Sequence, residues 1–269
     1  MEIVALDGNV RMNVEVHPGV LPLDTLFIHG NLASNRWWHP SLELLKANAK
    51  PGTEGRMIMA EWRGCGDTSH VHDEAELQIE RLAEDYVNLL REMGVKKACV
   101  VGHSTGGLIA LVAMAKAPQL FDRAVLLDPV HPGGIAFTPE ALRGFTAMSR
   151  NRQVCEDALR ATIHGVEKEN SFFQTLVDDA FSVGQLNWLG VPRTLATTNV
   201  EGFVKRVAAP VLVLHGEHDP VLPIDRSRAL EAILLHGRFE MLNGQGHSAN
   251  VENPALFVRH LNEFLFERG

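Results

Sequence analysis

The stretch Val100-Val101-Gly102-His103-Ser104-Thr105-Gly106-Gly107 decides the fold of this chain. An apolar run, Ala98-Cys99-Val100-Val101, precedes it, and a helical pattern over 108–115 follows it. The pattern predicts a strand that turns sharply into a helix. Such a turn forces Ser104 into a strained backbone conformation. It also brings positions 102 and 106 so close to a neighbouring strand and helix that only glycine fits there.

The turn also carries a catalytic motif, since Gly102, Ser104 and Gly106 spell G-x-S-x-G, the nucleophile elbow. The motif alone is weak, because a glycine-rich turn can contain an incidental serine. The strand before it and the helix after it favour a nucleophilic serine. The backbone N–H of Thr105, at the start of that helix, is then a candidate donor to an oxyanion.

The same alternation of strand and helix continues on both sides of this turn. Short apolar runs of the kind found in buried parallel strands lie at 25–28, 57–62, 98–101, 123–127, 211–214 and 238–242. Helical patterns separate or follow them at 37–49, 77–93, 105–117, 230–235 and 255–266. The pattern predicts an α/β fold with a mostly parallel sheet and helices on both faces.

Two further strands are predicted at the N-terminus, over 3–6 and 10–16, with Asp7-Gly8-Asn9 as the turn between them. The second alternates cleanly between apolar and polar residues, which predicts a position at the edge of the sheet. Together with the six buried runs, these strands give a sheet of eight.

The alternation is interrupted over 133–206, where helical segments follow one another without a clear strand. Helices are predicted over 139–148, 153–164, 171–181 and 198–207, with interruptions at Asn187-Trp188-Leu189 and Pro192. The predicted organisation is therefore a core of residues 1–132 and 207–269 with a helical cap, 133–206, inserted after the sixth strand as a lid. The apolar residues of the cap either line a substrate pocket or form the cap's own small core.

Composition limits the partners. The chain of 269 residues has a net charge of −8, which gives no electrostatic attraction to nucleic acid or to an anionic membrane. It contains no apolar tract long enough for a membrane span and no signal-peptide pattern at its start. The three cysteines are widely spaced and odd in number, which indicates reduced thiols and a cytoplasmic protein. No zinc-binding spacing is present.

The partners of a serine nucleophile are sought at the same edge of the sheet, where the carboxyl ends of parallel strands meet. His247, in a glycine-flanked loop after the last strand, is the candidate base, and Asp219, in a turn after a buried strand, is the candidate acid. Asp128 competes as the acid, since it ends the strand after the elbow. His103 is expected to point away from Ser104, and His215 to be a packing residue.

These motifs resemble the α/β-hydrolase superfamily, specifically its capped serine esterase and non-haem peroxidase-like branch. The resemblance covers nearly the whole chain and rests on the elbow and on four other stretches: His29-Gly30-Asn31, the glycine-rich loop over 63–69, the turn over 216–223 and Gly246-His247. It implies that Ser104 is the nucleophile, His247 the base and Asp219 the acid, in the chain order known for this fold. It also implies that the N–H groups of Asn31 and Thr105 form the oxyanion hole.

The resemblance predicts a hydrolase that cleaves a small or medium carboxylic ester through an acyl-enzyme on Ser104, without a cofactor or metal. Its only expected partner is a small ester-like substrate. Hydrolysis of a carbon–carbon bond, lactone hydrolysis and perhydrolysis use the same triad and remain alternatives. A non-catalytic receptor of this fold, binding a small ligand in the same pocket, is the alternative from another class.

Overall fold

The fold is taken from a computed structural model, which describes residues 2–6, 10–49, 52–165 and 170–266. Its strands are β1 (Glu2–Ala5), β2 (Arg11–Leu21), β3 (Asp24–Ile28), β4 (Gly55–Ala60), β5 (Ala98–His103), β6 (Phe121–Leu127), β7 (Val211–Gly216) and β8 (Gly237–Leu242). They form one sheet in the order β1-β2-β4-β3-β5-β6-β7-β8. Only the β1–β2 and β2–β4 pairs are antiparallel, which confirms the predicted mostly parallel, eight-stranded sheet.

Helices connect the strands and cover both faces of the sheet. The α-helices are α1 (His39–Ala47), α2 (Ile79–Glu92), α3 (Thr105–Lys116), α4 (Pro139–Met148), α5 (Arg152–Thr162), α6 (Ser171–Ser182), α7 (Gln185–Thr197), α8 (Glu201–Val204), α9 (Ile224–Ile233), α10 (Ala249–Glu252) and α11 (Pro254–Leu265). Helices α2 and α3 pack on one face, and α1 and α11 pack on the other. Among the described residues, none of these helices is long and apolar enough to cross a bilayer.

The central strands are apolar throughout because each of them has a core on both sides. In β5, Val100 belongs to the core beneath α2 and α3, while its neighbours Cys99 and Val101 belong to the core beneath α1 and α11. Alternate side chains of a strand point to opposite faces, so a strand covered on both faces cannot alternate with polar residues. This explains why continuous apolar runs located these strands.

The N-terminal strands correct one prediction. Strand β2 does not lie at the edge, because β1 pairs with its outer side and β4 with its inner side. Its alternation has another cause: Met12 and Val14 reach the core on one face, whereas Glu15 and His17 are only partly buried. The predicted turn at residues 7–9 lies outside the described residues.

The segment between β6 and β7 is helical, as expected, but two of its predicted boundaries are wrong. Helix α7 runs unbroken through Pro192, and α8 is much shorter than the helix predicted over 198–207. Tertiary packing outweighs the cost of the proline in α7: Trp188 is buried, and the Asn187 side-chain amide donates to the Arg63 carbonyl at 2.7 Å. The division of the chain into a core and a cap stays a prediction.

Candidate active site

Ser104 lies on the sharp turn between β5 and α3, with φ 54° and ψ −120°. This positive φ is unfavourable for a residue with a side chain, and hydrogen bonds on both sides of the turn maintain it. The Ser104 N–H donates to the Leu127 carbonyl at 2.9 Å, and the Ser104 carbonyl accepts from the N–H groups of Gly107 and Val130 at 3.0 and 3.1 Å. The serine is thereby fixed at the carboxyl edge of the sheet.

The two glycines of the motif leave no room for a side chain. A Cβ on Gly102 would lie 2.5 Å from the Gly106 carbonyl oxygen, and a Cβ on Gly106 would lie 2.3 Å from the carbonyl oxygen of Ile28. Both obstacles are backbone atoms of neighbouring elements, which cannot move aside as a flexible side chain can. The close packing of β5, α3 and β3 therefore depends on small residues at these positions.

Replacing Gly106 with alanine is expected to lower the free energy of unfolding by about 3 kcal/mol, the upper part of the usual range for overpacking, because the added methyl group meets backbone. Gly144→Ala is the matched control. Gly144 is exposed in α4, and a Cβ there meets nothing within 4 Å. The control is expected to gain up to about 1 kcal/mol from helix propensity. Urea unfolding of both variants checks the prediction, and equal stabilities would contradict it.

The candidate acid and base are paired in the structure. The Nδ1 atom of His247, in the loop after β8, lies 2.7 Å from Oδ2 of Asp219, in the turn after β7. The other Asp219 oxygen accepts the N–H groups of Val221 and Leu222 at 2.7 and 3.1 Å. Burial by itself would raise the pKa of Asp219, but His247 and these two donors outweigh it and lower that pKa. An ionised Asp219 is suited to hold His247 with its proton on Nδ1.

The loop that carries His247 is held from two sides. His103 Nε2 donates to the His247 carbonyl at 2.8 Å, and the His247 N–H donates to the Thr162 carbonyl, at the end of α5, at 3.3 Å. The His103 ring is stacked on Trp37 and lies 4.9 Å, centre to centre, from the His247 ring. Burial, followed by the neighbouring His247, lowers the pKa of His103 to about 3, so this ring is neutral. The motif gave no signal for this role of His103.

A single cavity brings most of the candidate residues together. It has a volume of about 270 Å³, and Asn31, Ser104, Thr105 and His247 all line it. The rest of its wall is almost entirely apolar, formed by Leu32, Ala33, Trp37, His103, Val130, Ile135, Phe137, Phe145, Met148, Ala158, Leu159, Thr162, Leu195, Val221 and Leu222. Asp219 lies behind His247. The lining residues between Ile135 and Leu195 come from the helical segment, so this segment supplies much of the wall.

Asp128, the competing candidate for the acid, has a different hydrogen-bond partner from His247. It follows β6 with φ 45°, is fully buried, and its Oδ1 accepts the N–H of Gly216 at 2.8 Å. It thus ties the end of β6 to the end of β7. The carboxylate hydrogen-bonded to His247 is that of Asp219.

Polar atoms of His103, Asp128 and His247 converge within 4.8 Å, and so do those of Asp128, His215 and Asp219. Such groups are candidate metal ligands, but His247 Nδ1 already bonds to Asp219 and His103 Nε2 to the His247 carbonyl. These hydrogen bonds account for the first of the two groups. The expectation that the site takes no metal stays a prediction.

The glycine-rich loop over 63–69 is held by ion pairs and contributes no residue to the wall of the cavity. Arg63 donates to both carboxylate oxygens of Asp85, at 2.6 and 2.9 Å, and to Glu76 at 2.7 Å. Burial raises the pKa of the Cys65 thiol well above its usual range, so Cys65 is not a reactive thiolate. The contacts favour a structural role for the loop over phosphate binding.

Comparison with known proteins places the chain in a family. The model of the family described as the α/β hydrolase fold matches residues 26–254. The chain belongs to this family. A relative from Agrobacterium fabrum carries the provisional name carbamate hydrolase RutD. It is 27% identical over an alignment 279 residues long, and this alignment covers 94% of this chain and 98% of the relative.

Solved structures show the same fold. An esterase from Exiguobacterium antarcticum is similar with a TM-score of 0.86 and 14% identity, covering 98% of this chain and 99% of that one. An enol-lactonase from Burkholderia xenovorans is similar with a TM-score of 0.84 and 18% identity, covering 99% and 100% of the two chains. The family match and these structures confirm the superfamily that the motifs predict.

Proposed function

We propose that this α/β hydrolase cleaves uncharged carboxylic esters of small or medium size through an acyl-enzyme on Ser104. One observation carries the proposal: Ser104, on its strained turn, and His247, bonded to Asp219, line one apolar cavity. The arrangement provides a nucleophile, a base and an acid that orients the base.

In the proposed reaction, Ser104 Oγ attacks the ester carbonyl while His247 Nε2 accepts its proton. Asp219 stabilises the imidazolium that forms. The backbone N–H groups of Asn31 and Thr105 donate to the oxyanion, and each such donor is typically worth about 3 kcal/mol of the barrier. His247 then gives its proton to the leaving alcohol, and water activated by His247 releases the acid from Ser104.

The names of the similar proteins support hydrolysis at a carbonyl group. They refer to a carbamate hydrolase, an esterase and an enol-lactonase, and carbamates, esters and lactones all contain a carbonyl bonded to a heteroatom. The apolar wall of the cavity favours esters and lactones over carbamates, since it offers few partners for the additional nitrogen of a carbamate.

The cavity also limits the charge of the substrate. None of the described residues that line it is Lys, Arg, Asp or Glu. A charged group placed against this wall would lose its hydration without gaining an ion pair, which costs several kcal/mol. The substrate acyl group is therefore expected to be neutral.

A matched pair of substrates tests this charge limit. p-Nitrophenyl butyrate and p-nitrophenyl hemisuccinate differ chiefly by a terminal carboxylate, and kcat/KM is expected to be at least about 50-fold higher for the butyrate because the cavity leaves that charge unpaired. The methyl ester of the hemisuccinate is the control: it is larger but neutral, and it should recover most of the rate. Equal kcat/KM values for the butyrate and the hemisuccinate would refute the limit.

The proposed chemistry is tested independently of the natural substrate. A fluorophosphonate forms a covalent adduct with an activated serine, and peptide mass spectrometry is expected to locate one adduct per chain on Ser104. Hydrolysis of p-nitrophenyl esters from acetyl to dodecanoyl then measures the acyl length that fits. Absence of both labelling and turnover would overturn the proposal in favour of a non-catalytic receptor. Labelling without ester turnover would favour another bond, such as a lactone or a carbon–carbon bond.

A further inference from the structure

Asp128 is a buried carboxyl group next to the candidate triad, with no role in the reaction described above. Its side chain is 0% exposed, and its backbone lies in the left-handed region with φ 45°. Oδ1 accepts the N–H of Gly216 at 2.8 Å, whereas Oδ2 is buried and has no hydrogen-bond partner among the residues that the structure describes. A buried carboxylate oxygen without a donor is costly, so its protonation state needs an explanation.

The nearest acidic neighbour is Asp219 itself. Polar atoms of Asp128, His215 and Asp219 all lie within 4.8 Å of one another, and the Asp219 side chain is only 1% exposed. Two ionised carboxylates at this separation, shielded from water, repel each other strongly. One proton held between them removes the repulsion and also satisfies the unpartnered oxygen, because a protonated carboxyl group becomes a donor.

The groups facing Asp128 decide where that proton is held. His215 lies on β7, with Nδ1 3.3 Å from Asp128 and Nε2 3.6 Å from Asp219, both longer than a charge-assisted hydrogen bond, and the Leu222 backbone is also a partner of this ring. Burial lowers the pKa of His215 and raises that of Asp128, where the charge of Asp219 and then of Glu252 adds to the effect. The remaining neighbours, His103 and His247, are already hydrogen-bonded.

We propose that Asp128 is a neutral carboxylic acid that donates a hydrogen bond to the Asp219 carboxylate and keeps Asp219 ionised and directed at His247. Asp128 is then a positioning residue that acts through Asp219. It also couples β6 to β7 through Gly216, so the turn that carries Asp219 is fixed from both sides. The effect on catalysis rests on the proposed function, whereas the proton on Asp128 does not.

Two substitutions of Asp128 distinguish the effect of its hydrogen-bond donor from the effect of a negative charge at this position. Asp128→Asn keeps a neutral donor of the same shape, and we expect kcat to stay within about threefold and the acidic limb of the pH–rate profile to stay in place. Asp128→Leu removes the donor, and we expect kcat to fall about ten- to hundredfold with little change in KM, the fold-change associated with a hydrogen bond to a charged group. Urea unfolding of both variants identifies any loss through misfolding.

If Asp128 were ionised, Asp128→Asn would remove a negative charge near His247, destabilise the imidazolium and move the acidic limb to lower pH. That shift, or a loss of kcat in Asp128→Asn as large as in Asp128→Leu, would overturn the proposal.

An infrared measurement tests the proton without any turnover. The difference spectrum between wild type and Asp128→Asn at neutral pH is expected to show the carbonyl band of one neutral carboxylic acid. The subtraction removes other buried carboxyl groups, such as Glu61 and Asp179, whose pKa burial also raises. An absent band, or an imidazolium signal from His215 in nitrogen NMR that disappears in His215→Gln, would place the proton elsewhere and refute the proposal. A positive band with no ester hydrolysis would leave the proton on Asp128 and reject only the proposed function.

Discussion

Replacing Ser104 with alanine is expected to lower kcat for p-nitrophenyl butyrate by at least about ten-thousand-fold, because the acyl-enzyme cannot form without the hydroxyl group. The residual rate comes from the cavity and the oxyanion donors, which remain. The fluorophosphonate adduct should disappear as well. Steady-state kinetics and intact-protein mass spectrometry measure both effects on the same preparation.

Two control variants separate this chemistry from folding. Ser171→Ala removes a hydroxyl at the exposed start of α6 and should leave kcat unchanged. Ser104→Gly removes the hydroxyl and also the strain at φ 54°, so it should be as inactive as Ser104→Ala but more stable by about 1 kcal/mol. An alanine variant that still hydrolyses the ester at more than about a hundredth of the wild-type rate would show that Ser104 is not the nucleophile.

The sheet could be predicted from the sequence because its signal is local. Each central strand is buried on both faces, so runs such as residues 98–101 and 211–214 are apolar without interruption. The elbow is local too: the short contacts that a Cβ on Gly102 or Gly106 would make explain why these positions need glycine. The amino-acid sequence alone shows such constraints, because they determine which residue types can occur within one short segment.

Other features depend on contacts between residues distant in the chain, and these could not be predicted. Pro192 suggests a helix break, but contacts with the loop over 63–69 keep α7 continuous. Nothing in the motif around His103 predicts that this residue supports the His247 loop from β5 across 144 positions of sequence. The position of Asp128 next to Asp219 depends on how β6 and β7 pair, which is a property of the sheet.

The second large effect is expected for Asp219→Asn, which should lower kcat for p-nitrophenyl butyrate by about ten-thousand-fold. The N–H groups of Val221 and Leu222 point at one Asp219 oxygen and require an acceptor there. The amide nitrogen of the replacement therefore faces Nδ1 of His247 as a donor, and His247 must carry its proton on Nε2. A protonated Nε2 cannot accept the proton of Ser104, and no negative charge stabilises an imidazolium.

Asp225→Asn is the matched control, because Asp225 is exposed in the first turn of α9 and the same substitution there should leave kcat unchanged.

The double variant Asp128→Asn/Asp219→Asn tests whether Asp128 can replace Asp219 as the acid when Asp219 is lost. Asp128 Oδ1 is already bonded to the N–H of Gly216, and the carboxylate hydrogen-bonded to His247 is that of Asp219. We therefore expect the double variant to be within about threefold of Asp219→Asn, since Asp128→Asn keeps the hydrogen-bond donor and removes only a carboxyl group that does not serve His247. A further loss of tenfold or more would show that Asp128 serves as an acid for His247 in its own right.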